Sequence, residues 1–211
     1  MSYITENYKL AAKTLTKAFA KHGMEVCYCN TANEARDQIL SMIPEGSSVT
    51  WGGSESMAEA GVFEAVRQGN YEFIDRKSAS TPEEARALYG RIVCADYFLT
   101  STNAFTKDGM LVNIDGAANR VACIAHGPAH VIVLVSMDKM CATIEDAVSR
   151  IRTLASPPNA LRVGAKTPCT KTGVCGDCLS PDCICCQILV TRYSRVPGRI
   201  KIVLCGEKLG F

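Results

Sequence analysis

Apolar residues near the start of the chain recur at helical spacing. Leu10, Ala11, Leu15, Ala18 and Phe19 lie among Lys9, Lys13, Lys17 and Lys21, which repeat every four residues, so an amphipathic helix is predicted over 1–23. Met24 to Cys29 alternates in polarity and predicts a strand. Asn30 and Thr31 open a helix to about Met42, and Pro44-Glu45-Gly46 breaks it. Ser48-Val49-Thr50-Trp51 reads as a short buried strand, from which Gly52-Gly53-Ser54 leads straight into a helix ending near Gly69. A strand over Tyr71 to Ile74 follows. Thr81 then places a capping hydroxyl before Pro82, Glu83 and Glu84, predicting a helix to about Val93.

Asp96 to Thr100 is the next predicted strand, and Lys107-Asp108-Gly109 marks a turn before the alternating Met110 to Ile114, so a hairpin is expected there. His130-Val131-Ile132-Val133-Leu134-Val135 is the strongest strand signal. A β-branched run of this kind suits a parallel strand covered on both faces, at the sheet's centre. Thr143 to Asp146 opens a helix expected to end before Pro157-Pro158. The alternation predicts one α/β domain over 1–211: a mostly parallel sheet flanked by helices in three layers, with terminal strands and a cysteine-rich loop at 167–186. In such a fold ligands bind at the carboxyl ends of the strands.

Charge changes little in this picture. A net charge of +2 and a pI near 7.9 supply no basic field of the kind nucleic acid requires. The basic start lacks the unbroken apolar run of a secretory signal, and no stretch is long and apolar enough for a membrane span, so a cytoplasmic protein is expected. Its twelve cysteines should then be mostly reduced. Cys27, Cys29, Cys94, Cys123, Cys141 and Cys205 sit among apolar neighbours and read as buried small hydrophobes. The other six fall between Cys169 and Cys186.

Two polar stretches could carry chemistry. In Trp51-Gly52-Gly53-Ser54-Glu55-Ser56 the glycines let the backbone approach a phosphate or carboxylate, yet the remaining glycines of a dinucleotide fingerprint and the lysine of a P-loop are missing. The same residues also read as a tight turn capped by Ser54 or Ser56, with Glu59 completing a capping box. The second stretch runs from Thr100-Ser101-Thr102-Asn103 through Asn113, Asp115, Gly116, Asn119 and Arg120. It gathers hydroxyls, amides, a carboxylate and a guanidinium beside predicted strands, with Arg120 suited to bidentate recognition of a small anion. His22, His126 and His130 have no metal-site spacing, and no nucleophile elbow is present.

The cysteine loop holds Cys169, Cys175 and Cys178 in a C-x5-C-x2-C pattern, followed by Cys183, Cys185 and Cys186, with Gly173 and Gly176 available for sharp turns. Such spacing lets thiolates converge on one centre, either zinc or an iron–sulfur cluster. A reducible disulfide and cofactor-free thiols are the competing readings.

Ser47 to Ser54, Gly69 to Arg76, Asp96 to Ala104, Gly109 to Arg120, the cysteine loop and the ending Gly206 to Phe211 together resemble the LUD-domain family, of the lactate-utilisation protein C type. The resemblance implies a fold like that of ribose-5-phosphate isomerase, glucosamine-6-phosphate deaminase, CoA transferases and 5-formyltetrahydrofolate cyclo-ligase. It also implies a link to oxidation of L-lactate to pyruvate alongside iron–sulfur partner proteins. Residue by residue, the family's glycine loop falls on Gly52, Gly53 and Ser54, its Asn-Tyr block on Asn70 to Arg76, and its Asp-Gly block on Asp115 to Arg120. Its cysteine loop falls on Cys169, Cys175, Cys178 and Cys185. Cys183 stands where relatives commonly carry a basic residue and Cys186 where a polar one is usual, which leaves the fourth ligand open.

Three functions compete. One is a component of lactate or 2-hydroxy-acid utilisation with a small anion in the crevice and zinc or iron–sulfur in the loop. Another is an enzyme acting on a sugar phosphate, CoA ester or folate, with Asp115 or Glu55 as general base. The third is a non-catalytic sensor or scaffold whose N-terminal helix and cysteine loop meet a partner.

Overall fold

Ten strands divide between two sheets in the computed structural model, which describes residues 2–211. The strands are β1 (Glu25–Cys29), β2 (Ser48–Trp51), β3 (Glu72–Ile74), β4 (Tyr97–Thr100), β5 (Ala104–Thr106), β6 (Leu111–Asp115), β7 (His130–Ser136), β8 (Met140–Cys141), β9 (Gln187–Thr191) and β10 (Ile200–Cys205). The larger sheet runs β1-β10-β7-β4-β2-β3, parallel throughout, so β7 lies inside it as its apolar run predicts. The smaller runs β8-β5-β6-β9 around the β5–β6 hairpin.

Alternation along each central strand feeds two cores. Val131, Val133 and Val135 of β7 point to one face with Phe98, Ile202 and Leu204, where they meet Leu15 and Phe19 of α1 (Tyr3–Lys21). Ile132 and Leu134 point to the other with Leu99 and Val203. There they meet α2 (Ala32–Ser41), α3 (Glu55–Glu59) and α4 (Val62–Gln68). Because neighbouring side chains on a strand leave from opposite faces, a wholly apolar strand fits only where helices cover both. Next come α5 (Pro82–Val93), α6 (Asn119–Ala125) and α7 (Ile144–Arg150), then α8 (Ser156–Arg162) and the single turn α9 (Cys169–Thr172). Ala147 of α7 packs on the smaller sheet.

The structure departs from the pattern reading at three places. The helix expected to run on to Gly69 is broken by Gly61, whose φ of 71° is left-handed and starts α4 in a new direction. Pro157 and Pro158 do not stop the chain's helical course: a π-helical turn over Ile151–Ala155 links α7 to α8, and the prolines occupy the first turn of α8, where an N–H has no helical partner. Among the scattered cysteines, Cys29, Cys123 and Cys205 are buried as expected, Cys27 and Cys141 only partly, and Cys94 is exposed. Burial pushes the Cys123 and Cys205 thiols up to about 11, which keeps them protonated and inert.

No helix among the described residues is long and apolar enough to cross a membrane.

Candidate functional site

The carboxyl ends of five parallel strands converge on one cavity of about 240 Å³. Gly53 to Ser56 follow β2, Arg76 follows β3, Ser101 to Asn103 follow β4, Lys139 follows β7, and Gly210 lies past β10. Ile114 to Ala117 close one side from β6, with Asn119 and Arg120 of α6 beside them, and Asn159 and Arg162 of α8 close another. The walls hold four cations, Arg76, Arg120, Lys139 and Arg162, against two carboxylates, Glu55 and Asp115. That is an excess of two positive charges, facing a largely polar lining.

Most of the expected residues are here. Gly53, Ser54, Glu55, Ser101, Asn103, Asp115, Gly116, Asn119 and Arg120 all line the cavity. Gly52, Thr100 and Asn113 stand directly behind it. A Cβ on Gly52 would meet Thr100 Oγ1 at 3.1 Å and Arg120 Cγ at 3.0 Å, and Asn113 holds Arg120. The capping reading of the glycine loop is met by Ser54, which accepts from the Met57 N–H (3.2 Å) at the start of α3 and also lines the cavity. Glu59 completes no capping box. Its carboxylate instead accepts from the Gly210 N–H (2.7 Å) and pins the chain's last residues beside the site.

Arg120 is buried, and four of its five N–H groups are hydrogen-bonded to the protein. Nη1 donates to the Ser101 carbonyl (3.2 Å) and Asn113 Oδ1 (2.6 Å), and Nη2 to Asn103 Oδ1 (2.9 Å) and the Ile114 carbonyl (2.8 Å), while Nε faces Asp115 Oδ2 at 3.4 Å. The guanidinium therefore braces the cavity by joining the end of β4 to β6, with no free fork for a ligand. Asp115 is equally occupied, since its other oxygen accepts from the Ala118 N–H (3.1 Å). Glu55 pairs with Arg162 at 3.0 Å. Of the two expected general bases, each is therefore held by an arginine.

The residues left facing a ligand carry no marked sequence motif of their own, except Arg76 at the end of the Asn-Tyr block. Its guanidinium lies over the Trp51 ring (5.4 Å to the centroid) and has no carboxylate partner among the described residues. Lys139 is 3% exposed, and its Nζ donates to Ser56 Oγ at 3.1 Å. Burial, aided by nearby Arg150 and Arg120 and opposed by Asp138 and Glu59, pushes its pKa down to about 8. Ser56 Oγ in turn donates to the Leu209 carbonyl (3.1 Å) and lies 3.5 Å from Ser101 Oγ. The signal that could have located Lys139 is its place three residues beyond the end of the strongest strand.

The cysteine loop packs against this cavity. Ile184 lines it, the Cys186 N–H donates to the Asp115 carbonyl (3.0 Å), and the chain then enters β9 beside β6. Within the loop Cys185 Sγ lies 3.3 Å from Ser156 Oγ, and the Cys169 and Cys175 thiols lie near enough to add to the burial that raises its pKa. Cys178, a free thiol, approaches Ser180 Oγ (3.4 Å) and hydrogen-bonds with the Cys183 thiol, contacts that lower its pKa, whereas burial pushes Cys183 up to about 11. Among the described residues no three His, Cys, Asp or Glu side chains converge as a metal requires. The donor chemistry suits zinc or iron–sulfur, but this arrangement, with Cys178 turned to Cys183, does not assemble the four thiols.

A model of the LUD domain matches residues 12–205. A DUF162 family protein from Deinococcus radiodurans shares the fold, with a TM-score of 0.55 at 12% identity over 94% of this chain and 98% of that one. The structure of eIF2B delta from Chaetomium thermophilum gives a partial likeness, with a TM-score of 0.34 at 17% identity over 51% of this chain and 46% of that one. No curated protein matches. Since the domain match takes in every strand and all the cavity residues short of Gly210 and Phe211, the chain belongs to the LUD-domain family.

Proposed function

We propose that this protein is a component of L-lactate or related 2-hydroxy-acid utilisation and holds a small organic acid in the cavity at the strand ends. The observation that carries this reading is the excess of two positive charges in a cavity of about 240 Å³, with Arg76 and Lys139 free of carboxylate partners among the described residues. A carboxylate is the natural counter-charge, and the Ser56 and Ser101 hydroxyls would meet the hydroxyl or carbonyl oxygen beside it. The volume suits a small acid and is tight for CoA or folate, whose bulk calls for pockets of about 300–1,000 Å³.

Isothermal titration tests this. L-lactate and pyruvate are expected to bind, and Arg76→Ala to weaken both by about tenfold, the loss of one charge-assisted hydrogen bond worth about 1.5 kcal/mol. Binding of a sugar phosphate but of neither acid would replace this reading with the sugar-phosphate enzyme.

The same proposal assigns the cysteine loop to zinc or an iron–sulfur cluster held by Cys169, Cys175, Cys178 and Cys185, which requires Cys178 to turn away from Cys183 as the group binds. Such a group would brace the loop or pass electrons to iron–sulfur partner proteins. Anaerobically purified protein is expected to contain zinc, or iron with acid-labile sulfide, and Cys175→Ser with Cys178→Ser to remove it. Protein free of both, with thermal stability unchanged by chelator, would leave the loop as plain thiols.

A further inference from the structure

Lys139 is out of place as a structural residue. An almost fully buried ammonium normally sits against a carboxylate, because removing the charge from water costs several kcal/mol. Here no carboxylate forms an ion pair with it among the described residues, and its one hydrogen bond goes to the neutral Ser56 hydroxyl. The surrounding charges cancel: Arg150 and Arg120 against Asp138 and Glu59. It lines the cavity proposed above to hold the acid, and the chain gives it room, since a side chain on Gly210 would begin 3.3 Å from Nζ. A buried lysine next to a carbonyl-sized space, spared from salt bridging, is the arrangement in which a neutral amine acts as a nucleophile.

Resting on the reading of this cavity as an organic-acid site, we propose that Lys139 forms an imine with the carbonyl of a 2-keto acid such as pyruvate. The Nζ lone pair attacks C2, a C–N bond forms, and the carbonyl oxygen takes a proton to give a carbinolamine. Loss of the hydroxyl and the remaining amine proton as water then leaves C=N, so no oxidant or reductant enters. Ser56 Oγ, 3.1 Å from Nζ, is placed to take the nitrogen's proton and pass its own to the oxygen once its hydroxyl turns from the Leu209 carbonyl. Arg76 balances the acid's carboxylate. The lowered pKa of about 8 leaves a useful fraction of neutral amine near neutral pH, where an exposed lysine has almost none. A 2-hydroxy acid, lacking the carbonyl, binds without bonding.

The test is reductive trapping. Full-length protein is incubated with pyruvate and cyanoborohydride across pH 6 to 9, and the adduct is located by peptide mass mapping. The expected result is one reduced pyruvate on Lys139, rising with pH through about 8, none with L-lactate, and none at this position in Lys139→Arg. Mapping on the unaltered protein locates the adduct even if that variant fails to fold. Calorimetric binding of pyruvate with no adduct on Lys139, or with adducts spread over surface lysines, overturns the imine and leaves the acid site standing. Failure of both acids to bind overturns both proposals.

Discussion

Arg120→Ala lowers the free energy of unfolding by about 3–5 kcal/mol and abolishes binding of L-lactate and pyruvate, as measured by urea denaturation and by calorimetry on the folded fraction. The size follows from what the side chain holds. Removing the guanidinium strands the buried Asn113 Oδ1 and takes the cation from Asp115, and it leaves Asn103 Oδ1 with only the Ile114 N–H and the Ser101 carbonyl with only the Thr100 hydroxyl. Asp115 is itself largely buried, and a buried carboxylate deprived of its cation is among the costliest defects a mutation can leave. Binding is lost because this fork, together with the bonds from the Ile114 N–H to Asn103 Oδ1 and from Thr102 Oγ1 to the Val112 carbonyl, holds the strand ends that carry Ser101, Asn103 and Asp115. Arg120→Lys restores the charge but not the planar five-donor fork, so it recovers only a minor part of the stability. An unchanged denaturation midpoint in either variant would refute the bracing role.

The second large effect separates two adjacent glycines. Gly52→Ala costs about 1–3 kcal/mol and weakens acid binding, whereas Gly53→Ala stays within about 0.5 kcal/mol of the parent. A methyl on Gly52 would sit 2.9 Å from Phe98 Cζ, 3.0 Å from Arg120 Cγ and 3.1 Å from Thr100 Oγ1, all on buried side chains that cannot swing away. Relief displaces Phe98, Arg120 or Thr100, and a shift of Arg120 carries the damage into the cavity. On Gly53 the nearest atoms are the guanidinium nitrogens of Arg76 and Arg162, 3.9 and 4.0 Å away, an ordinary contact. Thermal melts and calorimetry of the pair decide it, and equal effects at the two positions would show that the turn rather than the contact with Arg120 requires glycine.

Several elements were legible because their physics is local. Thr81 before Pro82, with Glu84 at the third helical position, forms the complete capping box at the start of α5, and Thr31 and Thr143 cap α2 and α7. The run from His130 to Val135 could be assigned to the centre of a parallel sheet because nothing else accepts a strand apolar on both faces. Elements decided by distant partners were not legible. β5 is three residues, Ala104 to Thr106, all buried, and it becomes a strand only by pairing with β6 and β8. The π-helical turn before Pro157 carries no sequence signal, because it arises where two helical segments are joined against the smaller sheet.

The polar residues divide the same way. By itself the sequence determined the α/β class, the family and the polar character of the stretch from Ser101 to Arg120 that lines the cavity, since side-chain periodicity and loop chemistry act over a few residues. Only the tertiary structure decided the roles within it. Folding turned Arg120 from the expected anion grip into an internal brace and paired Glu55 with Arg162. It also left Arg76 and Lys139, separated by 63 positions, as the cations facing the space. Whether a charged group is spent on the protein or left for a ligand depends on which partners arrive within about 3–4 Å, and for Glu55 that partner is Arg162, 107 positions away on another helix.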